Sequence, residues 1–135
     1  MPIQWREEMS VGNDIIDDDH KNLIGLINEY EAALSMKNPV ILKHAITGLV
    51  DYANSHFERE EKLMAAVHYP HLNAHREHHR TLLYRIEDFH EGILKAHKID
   101  LGEASRFLYD WLVRHVLDED LKLRPYVAGE RHDIV

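Results

Sequence analysis

The sequence predicts an all-α protein, an up-down-up-down antiparallel four-helix bundle with an N-terminal arm and a short C-terminal cap. Apolar residues recur at helical spacing in four stretches, no stretch alternates long enough to form a sheet, and the breaks are short. We expect residues 1–135 to form one domain, with the arm at 1–17, the bundle at about 18–120 and the cap at 121–135.

Each predicted helix has its own start signal. Three aspartates, Asp17 to Asp19, favour a helix N-terminus, and the first apolar stripe follows from His20. Pro39 suits the first turn of the second helix. The break at 68–70 precedes the third helix, whose apolar positions alternate steps of three and four. A loop at 98–102 leads into the fourth helix.

Composition excludes several classes of protein. The chain has 135 residues, no cysteine and a formal net charge of −8. Without cysteine there is no disulfide scaffold, iron–sulfur cluster, thiolate zinc finger or cysteine nucleophile. The acidic balance argues against a nucleic-acid partner, no apolar run approaches the ~20 residues that span a bilayer, and residues 1–10 lack a signal-peptide core. We therefore expect a soluble, cytoplasmic protein without nucleic-acid or membrane partners, either a monomer or a weak homo-oligomer.

Histidine is unusually frequent, with 12 residues and no tag-like run. Each predicted helix carries histidine on its apolar stripe, and one stripe also carries a glutamate. These residues are His20, His56, Glu60, His75, His79 and His115. Buried imidazoles and carboxylates without partners cost several kcal/mol, and a metal ion compensates because both groups are metal ligands. Five inward histidines exceed what one ion needs, so the sequence predicts two metal ions.

The other histidines are either exposed or ambiguous. Four lie off the stripes or near the chain end and are expected to be exposed: His44, His90, His97 and His132. His71 precedes His75 by four residues and His78 follows it by three, so spacing alone leaves both open as ligands. The apolar stripe that continues after His79 favours His75 with His79.

Together these residues resemble the ligand signature of the hemerythrin family, and most closely its bacterial single-domain members, the bacteriohemerythrins. The signature is His20, His56-x-x-x-Glu60, His75-x-x-x-His79 and His115-x-x-x-x-Asp120. Further similarity lies at Trp5, Val11-Gly12-Asn13, Tyr69-Pro70 and Trp111-Leu112, so the resemblance extends from Trp5 to about Tyr126.

The resemblance implies a non-haem di-iron centre that binds dioxygen reversibly, for oxygen storage, delivery or scavenging, in a protein that is not an enzyme. By position, one iron (Fe2+/Fe3+) would be bound by His75, His79 and His115, and the other by His20 and His56. Glu60 and Asp120 would bridge the irons together with an oxo or hydroxo group, and Leu112 would line the oxygen pocket. The second iron would keep an open position for dioxygen.

Other functions stay open for the same centre. One alternative is a sensor of oxygen, iron or redox state that changes its binding to a protein partner. Another is an enzyme that handles peroxide or nitric oxide, which would need a proton donor near the open position. Zinc or manganese in place of iron is also compatible with imidazole and carboxylate ligands.

Two departures from the family pattern bear on the site. Asp19 stands where the family usually has glutamine, which would change a contact behind the ligands. In the acidic trio 118–120, a regular helix would place Glu119 closer than Asp120 to the face of His115. The helix must therefore distort or end here for Asp120 to bind metal.

Overall fold

The computed structural model describes residues 3–95, 101–111 and 118–127. The helices in these ranges are α1 (Asp14–Met36), α2 (Pro39–Ala66), α3 (Leu72–Leu94), α4 (Leu101–Asp110) and α5 (Arg124–Val127), with 3-10 turns at Glu7–Met9 and Asp120–Leu123. The described residues contain no strand, so the predicted all-α fold class is confirmed. No helix in the described ranges is long and apolar enough to cross a bilayer.

Neighbouring long helices pack antiparallel. Asp19 of α1 contacts Arg59 of α2, whereas Asn22, further along α1, contacts Tyr52, which is earlier in α2. The same reversal of order relates α2 to α3. On α4, the ring of Phe107 lies against α3. The short connections between α1, α2 and α3 thus produce, for these three helices, the up-and-down packing that the sequence predicts.

Side-chain caps determine where α1 and α2 begin. Asn13 accepts hydrogen bonds from two backbone amides of the first turn, so α1 begins at Asp14, earlier than the apolar spacing indicated. Asp17 therefore lies inside the first turn, where its carboxylate accepts from the backbone amide of Val11 and holds the arm against the helix. Asn38 caps α2 in the same way, with proline in its first turn as predicted.

The apolar core is divided into two clusters with a polar layer between them. The larger cluster joins α1 to α4, and the smaller one joins the arm, the ends of α1 and α2 and the C-terminal cap. On each long helix, the polar layer is flanked by one residue packed in each cluster. These pairs are Ile16 and Leu23 in α1, Met64 and Ala53 in α2, and Leu72 and Leu82 in α3.

Candidate metal centre

Six of the seven predicted ligands make up this polar layer, with side chains from α1, α2, α3 and the 3-10 turn after α4. They are His20, His56, Glu60, His75, His79 and Asp120. Four are 0% exposed, while His75 is 6% and His79 is 2% exposed. The seventh predicted ligand, His115, and the expected oxygen-pocket residue, Leu112, lie outside the described residues.

One set of ligand atoms gathers where α2 and α3 face the 3-10 turn. Glu60 Oε1 lies 3.0 Å from His79 Nε2 and 3.1 Å from His75 Nε2. Asp120 Oδ1 lies 2.9 Å from the same nitrogen of His75. The four ligand atoms all lie within 4.8 Å of one another, close enough to share one cation.

A second set lies on the opposite side of the same two carboxylates. Asp120 Oδ2 lies 3.0 Å from His20 Nε2, and Glu60 Oε2 lies 3.3 Å from His56 Nε2 and 3.7 Å from His20 Nε2. These four residues again offer ligand atoms within 4.8 Å of one another. Glu60 and Asp120 therefore each present one oxygen to each set, an arrangement that suits two cations bridged by two carboxylates.

The spacing of these atoms fits metal coordination. Two ligands bound at right angles, each about 2.1 Å from one ion, are about 3.0 Å apart. The imidazole–carboxylate distances above centre on this value. In addition, His56 Nε2 and Glu60 Oε2 are buried without a hydrogen-bond partner among the described residues, an arrangement that costs about 1–3 kcal/mol per group. A cation between them would satisfy both atoms.

The electrostatics of the layer favour positive charge. Burial lowers the pKa of His56, but the charge of Glu60 and the hydrogen bond to Asp19 outweigh this effect and raise the pKa to about 10. Burial of His75 is likewise outweighed by Asp120 and Glu60, and its pKa rises to about 9. Burial would raise the pKa of Glu60, but the surrounding imidazoles hold it well below its ordinary value. Metal ions would therefore replace protons in this layer.

Asp19 orients His56 by contacting Nδ1, the ring nitrogen that does not face Glu60. Its Oδ2 lies 3.0 Å from His56 Nδ1 and accepts from Arg59 Nε at 2.9 Å, while Oδ1 accepts from Arg59 Nη2 at 2.7 Å and from Tyr52 Oη at 2.8 Å. Burial opposes ionisation of Asp19, but these contacts hold its pKa well below the ordinary value. When His56 Nδ1–H donates to this carboxylate, Nε2 is left as the free lone pair that faces Glu60, as a metal ligand requires. The departure from the family pattern thus provides a carboxylate partner for a predicted ligand.

His79 has an equivalent partner in the other set. Its Nδ1 lies 2.8 Å from Glu61 Oε2, and Arg76 Nε lies 3.3 Å from Glu61 Oε1. Each set therefore contains a histidine whose Nδ1 contacts a carboxylate, and that carboxylate is paired with an arginine. Neither arginine was predicted from the sequence, although Arg59 follows His56 by three residues and Arg76 precedes His79 by three, which places each pair on one helix face.

Asp120 reaches the layer because the regular helix does not continue to it. The backbone has π-helical geometry at Trp111 and again at Asp118 and Glu119, on either side of the residues that the structure does not describe. Asp120 begins the following 3-10 turn. Asp118 is exposed, Glu119 is half-buried and Asp120 is fully buried. The helix distortion expected from the sequence is present at Asp118 and Glu119, directly before Asp120. It turns the carboxylate of Asp120 toward the buried layer.

The other histidines that the structure describes lie outside both sets. His44 is exposed, as expected. The same expectation is wrong for His90, which is half-buried because antiparallel packing brings its Nε2 to 2.9 Å from Thr47 Oγ1. His71 and His78 are exposed and belong to neither set of ligand atoms. His97 and His132 lie outside the described residues.

Comparisons with known proteins agree with this architecture. Residues 11–127 match the family described as "Hemerythrin HHE cation binding domain". A bacteriohemerythrin of Pseudomonas aeruginosa is 30% identical over 131 residues, which cover 96% of this chain and 82% of the relative. Myohemerythrin-1 of Phascolopsis gouldii is 34% identical over 124 residues, which cover 91% of this chain and 92% of the relative.

The fold has a close counterpart among solved structures. A crystal structure of wild-type hemerythrin superposes with a TM-score of 0.88 at 24% identity, covering 95% of this chain and 99% of the other. Within the matched range, two overlapping sets of histidine and carboxylate side chains that could hold a metal ion lie in the interior of the bundle. The chain belongs to the hemerythrin family.

Proposed function

We propose that this protein holds two iron ions in its buried polar layer and binds dioxygen there reversibly, for oxygen storage, delivery or scavenging. One observation carries the proposal. The two oxygens of Glu60, and likewise those of Asp120, are divided between two separate groups of histidines, one oxygen to each group. Membership of the hemerythrin family supports iron as the metal and dioxygen as the ligand.

The proposed ligand roles follow the two sets of atoms. One iron would be held by His75 and His79, with His115 as its third histidine, and the other iron would be held by His20 and His56. Glu60 and Asp120 would contribute one oxygen to each ion. With His115 counted, the set that contains His20 and His56 would offer one histidine fewer, so its ion would keep an open position for dioxygen.

An iron pair supplies two electrons to dioxygen when it binds and recovers them when it leaves. The protein must therefore keep water and protons away from the layer, because protons would prevent the return of the electrons. Phe57 helps to exclude water: its ring stacks on His79 with centroids 4.1 Å apart and meets the buried ring of Trp111 at 5.9 Å. We propose that Leu112, next to Trp111, lines the oxygen pocket.

Asp19 and Glu61 stabilise the centre from outside the ligand set. Each accepts the Nδ1–H of one histidine, which fixes the tautomer and makes Nε2 a stronger donor. A stronger donor would favour the ferric state of an iron ion held there. Arg59 and Arg76 balance the added negative charge.

Absorption spectroscopy tests the proposal. Spectra of the purified protein are recorded after anaerobic reduction, after exposure to air and after removal of oxygen. We expect a charge-transfer band of an oxo-bridged iron pair that appears with air and disappears on deoxygenation. A band that appears once and stays would instead favour sensing or peroxide chemistry. Absence of any band, with zinc or no metal by elemental analysis, would contradict the proposal.

A further inference from the structure

The indole ring of Trp111 borders the buried polar layer. Trp111 is 3% exposed and belongs to the larger apolar cluster. Its ring meets that of Phe57 edge-on, with the centroids 5.9 Å apart. The ring of Phe57 in turn lies 5.7 Å from that of His56 and 4.1 Å from that of His79, centroid to centroid. A single aromatic ring therefore separates Trp111 from one histidine of each ligand set.

The indole N–H of Trp111 is buried without an acceptor. Its Nε1 has no hydrogen-bond partner among the described residues. The other tryptophan of the chain differs in this respect, because Trp5 Nε1 donates to Glu7 Oε1 at 3.3 Å. An indole nitrogen can only donate, and a donor that is enclosed without an acceptor costs free energy. Such donors are rare in folded proteins, and an acceptor that arrives with a ligand is one explanation of them.

Water alone does not satisfy this donor. A buried water typically makes about three hydrogen bonds to polar groups. Phe57 and the aliphatic side chains of the larger apolar cluster offer a water no bonds beyond the one from the indole. The acceptor must therefore belong to a molecule that is anchored elsewhere, and the metal centre proposed on the other side of Phe57 is such an anchor.

We propose that the Trp111 N–H donates a hydrogen bond to the free end of a small anionic ligand held at the metal centre, and thereby selects ligands with an acceptor atom there. The inference rests on the proposed function, since the ion beside His20 and His56 would anchor the ligand. Leu112, the next residue along the chain, is the one proposed to line the oxygen pocket. Azide and partly reduced dioxygen carry negative charge at the free end and accept strongly, whereas an uncharged ligand such as nitric oxide accepts weakly.

Azide binding to the oxidised, iron-loaded protein tests the proposal. Absorption titration gives the affinity, and infrared spectroscopy gives the stretching frequency of the bound azide. In the wild type we expect this frequency to shift when heavy water replaces ordinary water, because the indole N–H exchanges to N–D. Trp111→Phe keeps an aromatic ring but removes the donor. Its solvent shift should disappear, and its azide affinity should fall about fivefold, the usual worth of one net hydrogen bond.

Trp5→Phe is the matched control. It also replaces an indole by a phenyl ring, but the N–H that it removes already donates to Glu7. We therefore expect this variant to bind azide with wild-type affinity and to keep the solvent shift of the azide stretch.

Nuclear magnetic resonance gives a second readout that needs no substitution to be folded. Because the chain has two tryptophans, the protein with isotopically labelled tryptophan gives two indole N–H signals. Azide should move the Trp111 signal toward the position of a hydrogen-bonded indole and leave the Trp5 signal in place.

Three results would overturn the inference. They are the same solvent shift of the azide stretch in the wild type and Trp111→Phe, a Trp111 signal that azide leaves in place, and a Trp111 signal already at the bonded position before azide is added. A wild-type protein that holds no iron would overturn this inference and the proposed function together. Azide that bonds to Trp111 in a protein that does not bind dioxygen reversibly would refute only the proposed function.

Discussion

The contacts of Asp19 make a quantitative prediction for Asp19→Asn. Asp19 is 4% exposed, and its carboxylate accepts four hydrogen bonds at 2.7–3.0 Å, from His56, Arg59 and Tyr52. Asparagine has nearly the same shape, but its amide nitrogen faces donors and cannot accept from them. One oxygen position therefore loses its contacts and the negative charge is removed.

The expected cost has two parts. Loss of the carboxylate partner behind a metal-binding histidine lowers metal affinity about 10–100-fold, which is about 1.4–2.7 kcal/mol. The metal-free protein should lose at least about 1.5–3 kcal/mol of unfolding free energy, which is the usual worth of one hydrogen bond to a charged group. The side chain of Arg59 is 39% exposed, and solvent screening therefore keeps the loss of unfolding free energy toward the lower end of this range.

Competition with a chelator measures the effect on metal affinity. Because Asp19 contacts only the set with His20 and His56, we expect the variant to release one ion readily and hold the other almost as the wild type does. Asp18→Asn is the matched control, since it makes the same substitution one residue away on the exposed face of α1. Two ions held with wild-type affinity in Asp19→Asn would refute the reasoning.

Three further predictions follow from the same geometry. His79→Ala should abolish stoichiometric iron binding while His44→Ala leaves it unchanged, as elemental analysis would show; full loading of the first variant would mean that another histidine is the ligand. The raised pKa values of His56 (about 10) and His75 (about 9) stabilise the metal-free protein fully below the unfolded value of about 6.5, and this stabilisation is lost as the pH rises toward 10. Thermal melts of metal-free and loaded protein should therefore diverge between pH 6.5 and pH 10, and a constant difference would contradict this linkage. Gly25→Ala should stabilise the protein by up to about 1 kcal/mol in denaturant titration with metal binding unchanged, because the glycine is exposed in mid-helix and an added Cβ meets nothing within 4 Å; a loss of stability would show that the site is strained.

Local periodicity explains why much of the layer was predictable. Helical spacing places His20 on the same stripe as Leu23 and Ile27, and it places His56 and Glu60 one turn apart. Such patterns require no knowledge of how the helices pair. The residue types then identify a metal site, because apolar stripes otherwise exclude so many imidazoles and carboxylates.

Features that depend on the register between helices were not predictable in this way. The four donors around Asp19 come from α2, and only the packing of α1 against α2 brings Arg59 and Tyr52 to it. The contact between His90 and Thr47 has the same origin. The division of the Glu60 and Asp120 oxygens between two sets depends on how three helices and the 3-10 turn meet.

The π-helical geometry beside Asp120 was predictable from the sequence only in part. The position of the acidic trio relative to His115 indicated that the helix must distort or end, but it did not determine how. In the structure, Asp118 and Glu119 face away while Asp120 begins a tighter turn and is buried. Burial of Asp120 next to His20 and His75 provides the interactions that favour this choice over Glu119.

Anomalous diffraction at the iron absorption edge, from crystals of the iron-loaded protein, tests the central claim most directly. We expect two peaks in the buried layer, both between Glu60 and Asp120, one beside His75 and His79 and the other beside His20 and His56. A single peak, or peaks outside this layer, would contradict the two-metal centre on which the proposed function depends.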